Sequence, residues 1–375
     1  MRSRENFPAV AGLVVCASFS FASVRAGEWQ TATPQSLGAD PQPLQRLVEA
    51  IGRGDFPKTT SVLIVYRSRL IFERYFGDGG ADLLNDTRSA TKSITGLAVG
   101  AAIRDGNIAS IGAPAFQFLA DLAPFGNDTP LKREITIEDL LTMSSALDCN
   151  DDVESSPGNE ENMYKQQRWA RWAVDLPTKQ DYQRDAAGRG PFSYCTAGVF
   201  LLGQILQRAA RNPVDLYIEQ KILKPLAISK WEWPRSPTGE VMTGGGLRLR
   251  SRDLAKIAWM LANDGRWGED SVVPAPWVTA AMTAQRKANA EQDYGYLFWQ
   301  RFYTSKCGAM PGWSMSGNGG NAVVVIKDPA AAIVITRKNY NTRGMHQQTV
   351  NLLEQHVLPA LPCPAVTSSL AAGSG

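Results

Sequence analysis

Histidine is nearly absent: His346 and His356 are the only two among 375 residues. That scarcity argues against a His-based metal site, and against a triad that passes protons through imidazole. An excess of either charge is also missing. Lys and Arg number 39 against 36 Asp and Glu, a formal net charge of +3, so the chain carries no electrostatic footprint for nucleic acid. There is no CxxC pair, which excludes a zinc ribbon or a thioredoxin-like site. GxSxG, HExxH and P-loop motifs are absent too. Beyond the amino terminus no stretch is long and apolar enough to span a bilayer. What is present is ordinary globular composition, 44% hydrophobic and 20% charged. The length suffices for two modest domains or one large one.

The first thirty residues have the layout of a secretory signal. Arg2 and Arg4 form a basic start, Phe7 to Val24 is uncharged and mostly apolar or small, and Val24-Arg25-Ala26 offers a cleavage site after Ala26. Pro8 and the serines argue against an uncleaved anchor, and the bulk of Val15 against a lipid on Cys16. Cleavage leaves 349 residues with a net charge of +1 and places the protein in the periplasm or outside the cell, with no stable membrane span. Cys149, Cys195, Cys307 and Cys363 remain, and in an oxidising compartment they allow three pairings. The expected pairs are Cys149–Cys195 and Cys307–Cys363; buried free thiols are the alternative.

Residues 61–76 read as two apolar strands around a polar turn at Arg67-Ser68-Arg69. Helices are expected over 89–105, closed by Gly106, then over 136–146 behind Thr136 and Asp139, and over 196–210 and 251–264. The text from 147 to 190 is polar and irregular. Strand text returns at Tyr294–Phe302, Asn321–Lys327 and Ala332–Arg337, before a helix near 345–358. Strands at both ends of a helical middle predict an α/β fold: an α+β sandwich whose antiparallel sheet is flanked by helices, with a mostly helical domain inserted. The boundaries are 1–26 for the signal, 27–106 and 250–362 for the sandwich, 107–249 for the helical domain and 363–375 for a flexible tail.

Three short patterns carry chemistry. In Ser89-Ala-Thr-Lys92, Ser and Lys stand three apart at a helix start, so their side chains face the same way. A buried lysine can serve as the base that activates a serine. The plain alternative is a serine cap with a solvated lysine, but Lys92 is the only lysine with Ser three positions before it. Tyr194, in Phe192-Ser-Tyr-Cys-Thr196, precedes the 196–210 helix and is either a proton relay or a packed core tyrosine. Ser316-Gly-Asn-Gly-Gly-Asn321 runs into a strand and is either a turn or a set of backbone donors facing a cleft. Gly317-x-Gly319-x-x-Ala322 is not a dinucleotide fingerprint, because a strand follows where a helix is needed.

Taken together and in this order, the patterns resemble the serine β-lactamase and penicillin-binding-protein superfamily. The blocks RSATKSITGLAVGAAIRDG, ITIEDLLTMSSALDC, FSYCTAGVFLLGQIL, TGGGLRLRSRDLAKIAWML and SGNGGNAVVVIKDP look closer to its class C-like esterase and 6-aminohexanoate-dimer hydrolase branch. The resemblance runs from about residue 60 to 360. It implies a serine hydrolase without metal or cofactor that cleaves an ester or amide of a small molecule through an acyl-enzyme. In it Ser89 is the nucleophile, Lys92 its base, and Tyr194 the partner that protonates the leaving group. Backbone N–H groups of Ser89 and Asn321 form the oxyanion hole, with Asn318, Gly319 and Gly320 against the substrate. Tyr164 is the candidate for the tyrosine that closes over substrate in that branch. Thr196 stands where β-lactam-processing members have Asn, and Asn318 where they carry a cation. No separate deacylating glutamate is evident, so the resemblance points away from efficient β-lactam hydrolysis. A D,D-peptidase, a β-lactamase and a non-turning-over sensor on the same fold are the other readings.

Overall fold

One antiparallel sheet of eight strands is closed by the two ends of the chain. In the computed structural model, residues 28–364 are described. The signal reading over 1–26, and the tail reading from residue 365 onward, lie outside the described residues. The first hairpin is β1 (Thr59–Tyr66) and β2 (Arg69–Tyr75). Its connecting residues Arg67 and Ser68 both have positive φ, 49° and 60°, the backbone that lets a two-residue turn follow the strand twist. The remaining strands come late: β3 (Arg286–Lys287), β4 (Gln292–Tyr294), β5 (Trp299–Ser305), β6 (Gly308–Gly317), β7 (Asn321–Ile326) and β8 (Ala331–Arg337). The spatial order is β2-β1-β8-β7-β6-β5-β4-β3, and β1 pairs with β8 through contacts such as Ile64 opposite Ile333.

The period-2 alternation of β1 divides the core in two. Val62, Ile64 and Tyr66 face a layer made by α1 (Pro41–Arg53) and the C-terminal helical segment, with Leu44, Leu47, Leu353 and Val357 against them. Leu63 and Val65 face the opposite side, where α2 (Thr91–Arg104), α3 (Thr196–Ala210) and α4 (Ser251–Ala262) share the larger cluster. The sequence reading gave α2 one apolar face; instead every residue from Thr91 to Ala102 is buried. An all-round small and apolar helix belongs inside a core, and α2 threads between the sheet and the helical region. The last helix, α5 (Met345–Leu352), continues into a wider turn over Leu353–Val357.

The capping box at Thr136 and Asp139 forms, but its helix ends at Leu141 rather than 146. The strand expected over Tyr294–Phe302 is split by a turn in which Gly295 N–H donates to the Phe298 carbonyl. β6 was not anticipated at all. Gly308, Pro311 and Gly312 obscure its pattern, although Met310, Gly312–Met315 and Gly317 are buried along it. Cys149 is joined to Cys195 and Cys307 to Cys363. Among the described residues, no helix is long and apolar enough to cross a membrane.

Candidate active site

The turn ahead of α2 sets Ser89. Arg88 has φ of 49°, a left-handed conformation that an L-residue adopts at some cost, so neighbouring groups must hold it. Its guanidinium lies 3.1 Å from Asp86 and 4.5 Å from the centre of the Tyr340 ring. Its carbonyl accepts hydrogen bonds from Gly246 N–H and the Thr91 hydroxyl. Ser89 follows directly. Lys92, one helical turn on, is 1% exposed and donates from Nζ to Ser89 Oγ at 3.0 Å and to the Gly244 carbonyl at 2.6 Å. A lysine so enclosed has no bulk water beside it, so a proton leaving Ser89 is received within the site.

The segment Thr243–Leu249 forms the wall opposite α2. Thr95 donates to the Thr243 carbonyl at 2.8 Å and Leu247 N–H to the Thr91 hydroxyl at 3.0 Å. Sequence reading saw this glycine-rich block as family-like but gave it no part in the site. Its signal was the Thr-Gly-Gly-Gly run itself.

Tyr194 arrives from the start of α3, its ring 5.0 Å from Lys92 Nζ and 5.7 Å from the Trp299 ring. Burial raises its phenol pKa above the ordinary value, while the nearby Lys92 charge and the Ser89 hydroxyl favour the phenolate. Its neighbour Cys195 is held to Cys149, and Asp151 lies just beyond that link. Asp151 N–H donates to the Tyr194 carbonyl at 2.9 Å. The Asp151 carboxyl accepts from Thr196 N–H at 2.7 Å and Glu160 N–H at 2.9 Å. Sequence reading missed Asp151, Glu160 and Trp299, because nothing local distinguishes them from surface polar text or a core aromatic.

Two cavities meet at Ser89. The larger, about 500 Å³, is walled by Glu160, Glu161, Tyr164, Trp169 and Trp233. The smaller, about 380 Å³, is walled by Asp151, Tyr194, Trp299, Ser316 and Gly317. Ser89, Glu160 and Asn318 border both. Tyr164 is 43% exposed, donates its hydroxyl to Glu160 at 3.1 Å and sets its ring edgewise on Trp169. His346 also borders the smaller cavity, whereas His356 packs on Phe56, away from the site. Burial lowers the pKa of both imidazoles.

The glycine-rich turn requires a correction. Asn318, Gly319 and Gly320 were expected against the substrate and the Asn321 N–H in the oxyanion hole; Asn318 borders both cavities, but Gly319, Gly320 and Asn321 border neither. The chain reverses over 318–320, with φ of 91° and 83° at the two glycines, and Gly319 packs against Tyr340 and Gly320 against Met345 and Thr349. Asn321 is buried there, accepting Arg337 N–H and donating to the Asn318 carbonyl. Ser316, Gly317 and Asn318 face Ser89 instead. Gly317 packs so tightly that a Cβ would sit 2.2 Å from the Thr87 carbonyl. The Asn318 side chain donates to Asn341 Oδ1 and accepts Asn341 N–H, which fixes the turn. Among the described residues, no group of His, Cys, Asp and Glu converges as a metal site.

The Beta-lactamase family model matches residues 44–356. A 6-aminohexanoate-dimer hydrolase of Paenarthrobacter ureafaciens is 24% identical over 298 residues, covering 74% of this chain and 72% of that protein. Among solved structures, a D-stereospecific amidohydrolase from Streptomyces sp. superposes with a TM-score of 0.62 at 17% identity, covering 83% of this chain and 98% of that one. A penicillin binding protein from Bacillus halodurans gives 0.63 at 16% identity, with 82% and 98% covered.

Proposed function

The chain belongs to the beta-lactamase family, and from that premise we propose that it is a serine hydrolase cleaving an ester or amide of a small molecule through an acyl-enzyme on Ser89. The observation that carries this is the 3.0 Å hydrogen bond between Lys92 Nζ and Ser89 Oγ, at the meeting point of two cavities. The Ser89 proton passes to the Lys92–Tyr194 pair as Oγ bonds to the substrate carbonyl carbon. Charge developing on the carbonyl oxygen is met by backbone N–H groups of Ser89 and of the Gly317–Asn318 end of β6. Collapse breaks the bond to the leaving group, which takes a proton from Tyr194. Water then attacks the ester carbonyl, gives up a proton to the same pair, and Ser89 regains its hydrogen as the acid departs.

Asn318 offers no cation, and its amide is already engaged with Asn341. This supports the esterase and 6-aminohexanoate-dimer hydrolase branch over β-lactam processing. Two disulfides and the signal-like amino terminus support a periplasmic or secreted location, with a small molecule as substrate. A fluorophosphonate probe is expected to label the folded wild type and not Ser89→Ala; an unlabelled wild type overturns the assignment. A panel of p-nitrophenyl esters, 6-aminohexanoate linear dimer, nitrocefin and D-amino-acid amides identifies the substrate. Stable labelling by fluorescent penicillin would instead mark a D,D-peptidase, and a burst without turnover would mark a sensor.

A further inference from the structure

Asp151 is placed unlike the acids around it. Each of its carboxyl oxygens accepts a backbone N–H from a different element: Oδ2 from Thr196 at the start of α3, and Oδ1 from Glu160 at the start of the helix that carries Tyr164. Its own N–H holds the Tyr194 carbonyl, and its carbonyl accepts from Asn159. The Cys149–Cys195 link lies two residues before Asp151 and one after Tyr194, so the three connections act on a short, covalently closed span.

We propose that Asp151 is a positioning residue for the Ser89 chemistry: its ionised carboxylate, by accepting on both oxygens, ties the Tyr194 segment to the Tyr164 helix and so holds both cavities in register about the nucleophile. The proposal rests on the serine-hydrolase reading above. Protonation turns one oxygen into a hydroxyl, a poorer acceptor without the charge, so one of the two backbone bonds is weakened. The groups that face Asp151 are Lys92 from α2, Tyr194 ahead of α3, and Glu160 and Tyr164 from the short helix. Arg301 and His346 stand elsewhere on the wall of the same cavity.

Burial and the Glu160 charge raise the Asp151 pKa to about 6, against the pull of Lys92 and the Thr196 hydrogen bond. The clamp therefore works at neutral pH and fails as pH falls through that value. Because the folded pKa lies above the unfolded one, this group's contribution to stability declines as pH rises through about 6. The ionised form is kept at a cost to stability, which is how a group held for function behaves.

Asp151→Asn keeps one acceptor and cannot titrate. With a p-nitrophenyl ester at pH 7.5, its kcat is expected to fall by ~10- to 100-fold with KM little changed, consistent with a misplaced acid–base partner. The wild-type acid limb near pH 6 should disappear in the variant. Its melting temperature relative to wild type should be higher at pH 7.5 than at pH 5. A variant with wild-type kcat and an unchanged acid limb overturns the proposal. Hydrogen exchange on the intact wild-type chain gives a readout independent of turnover. Protection of the Glu160–Tyr164 amides, corrected for intrinsic exchange, should drop with a midpoint near pH 6, and pH-independent protection overturns the clamp even if the variant fails to fold. Wild type that shows the exchange transition but hydrolyses nothing sinks the hydrolase reading and leaves the clamp standing.

Discussion

The two sides of Ser89 are built differently. On the α2 side the contacts beneath Ser89 are buried and made to main-chain partners: Lys92 to Gly244, Thr95 to Thr243, Gly317 against Thr87. On the Tyr164 side a five-residue helix is anchored by its first amide, its tyrosine is half open to water, and Glu161 is exposed. A five-residue helix is far too short to persist on its own and depends on such anchors. Under the proposed mechanism the contrast separates the bond-breaking groups, held by many fixed contacts, from the surface that would receive the substrate, which should be alterable without unseating them.

Five variants test that division, in descending order of effect. Lys92→Met removes the proposed base while roughly keeping the volume, and kcat/KM for an ester should fall by about 10³-fold or more. Retention of most turnover would reassign the base. Gly317→Ala drives a methyl into the Thr87 carbonyl, and the forced shift should lower kcat by about 10²-fold and cost about 1–3 kcal/mol in denaturant titrations. An unaffected enzyme would mean that the end of β6 is not part of the oxyanion wall. Removing either disulfide should cost about 2–4 kcal/mol. Cys149→Ala with Cys195→Ala should also slow turnover, because the link abuts Tyr194. Cys307→Ala with Cys363→Ala, which frees only the β5–β6 turn from the chain's later course, should leave kcat intact. Equal kinetic effects from the two pairs would break the comparison. Last, Tyr164→Phe removes one exposed hydrogen bond and should change KM by about two- to fivefold with kcat unchanged.

Legibility in the sequence followed the range of the interaction that decides each feature. Ser89 and Lys92 are one helical turn apart, and α3 begins and ends where its apolar stripe does, so local spacing sufficed. The sheet closed by both chain ends followed from where strand text occurs. Gly244 and Asp151 owe their places to segments far away in sequence; the Thr-Gly-Gly-Gly run marks the first without saying what it meets, and nothing near Asp151 signals its role. The turn at 318–320 failed for a subtler reason. Its glycines were recognised, but a hairpin's register decides which residue of the reversal faces the cleft, and register is set by pairing across strands. Asn318, as expected, borders the cavities, whereas Asn321, three positions on, does not.

Ser89 borders both cavities, and this has a kinetic consequence. A scissile bond lying across the serine places its two halves in separate chambers, so the first product can depart while the second stays esterified. The vacated chamber then admits whatever small nucleophile is dissolved around it. Water is one such nucleophile, and a primary alcohol at high concentration is another. The ratio in which they divide the esterified intermediate should be the same for every substrate that delivers a common acyl group, whatever its departing half.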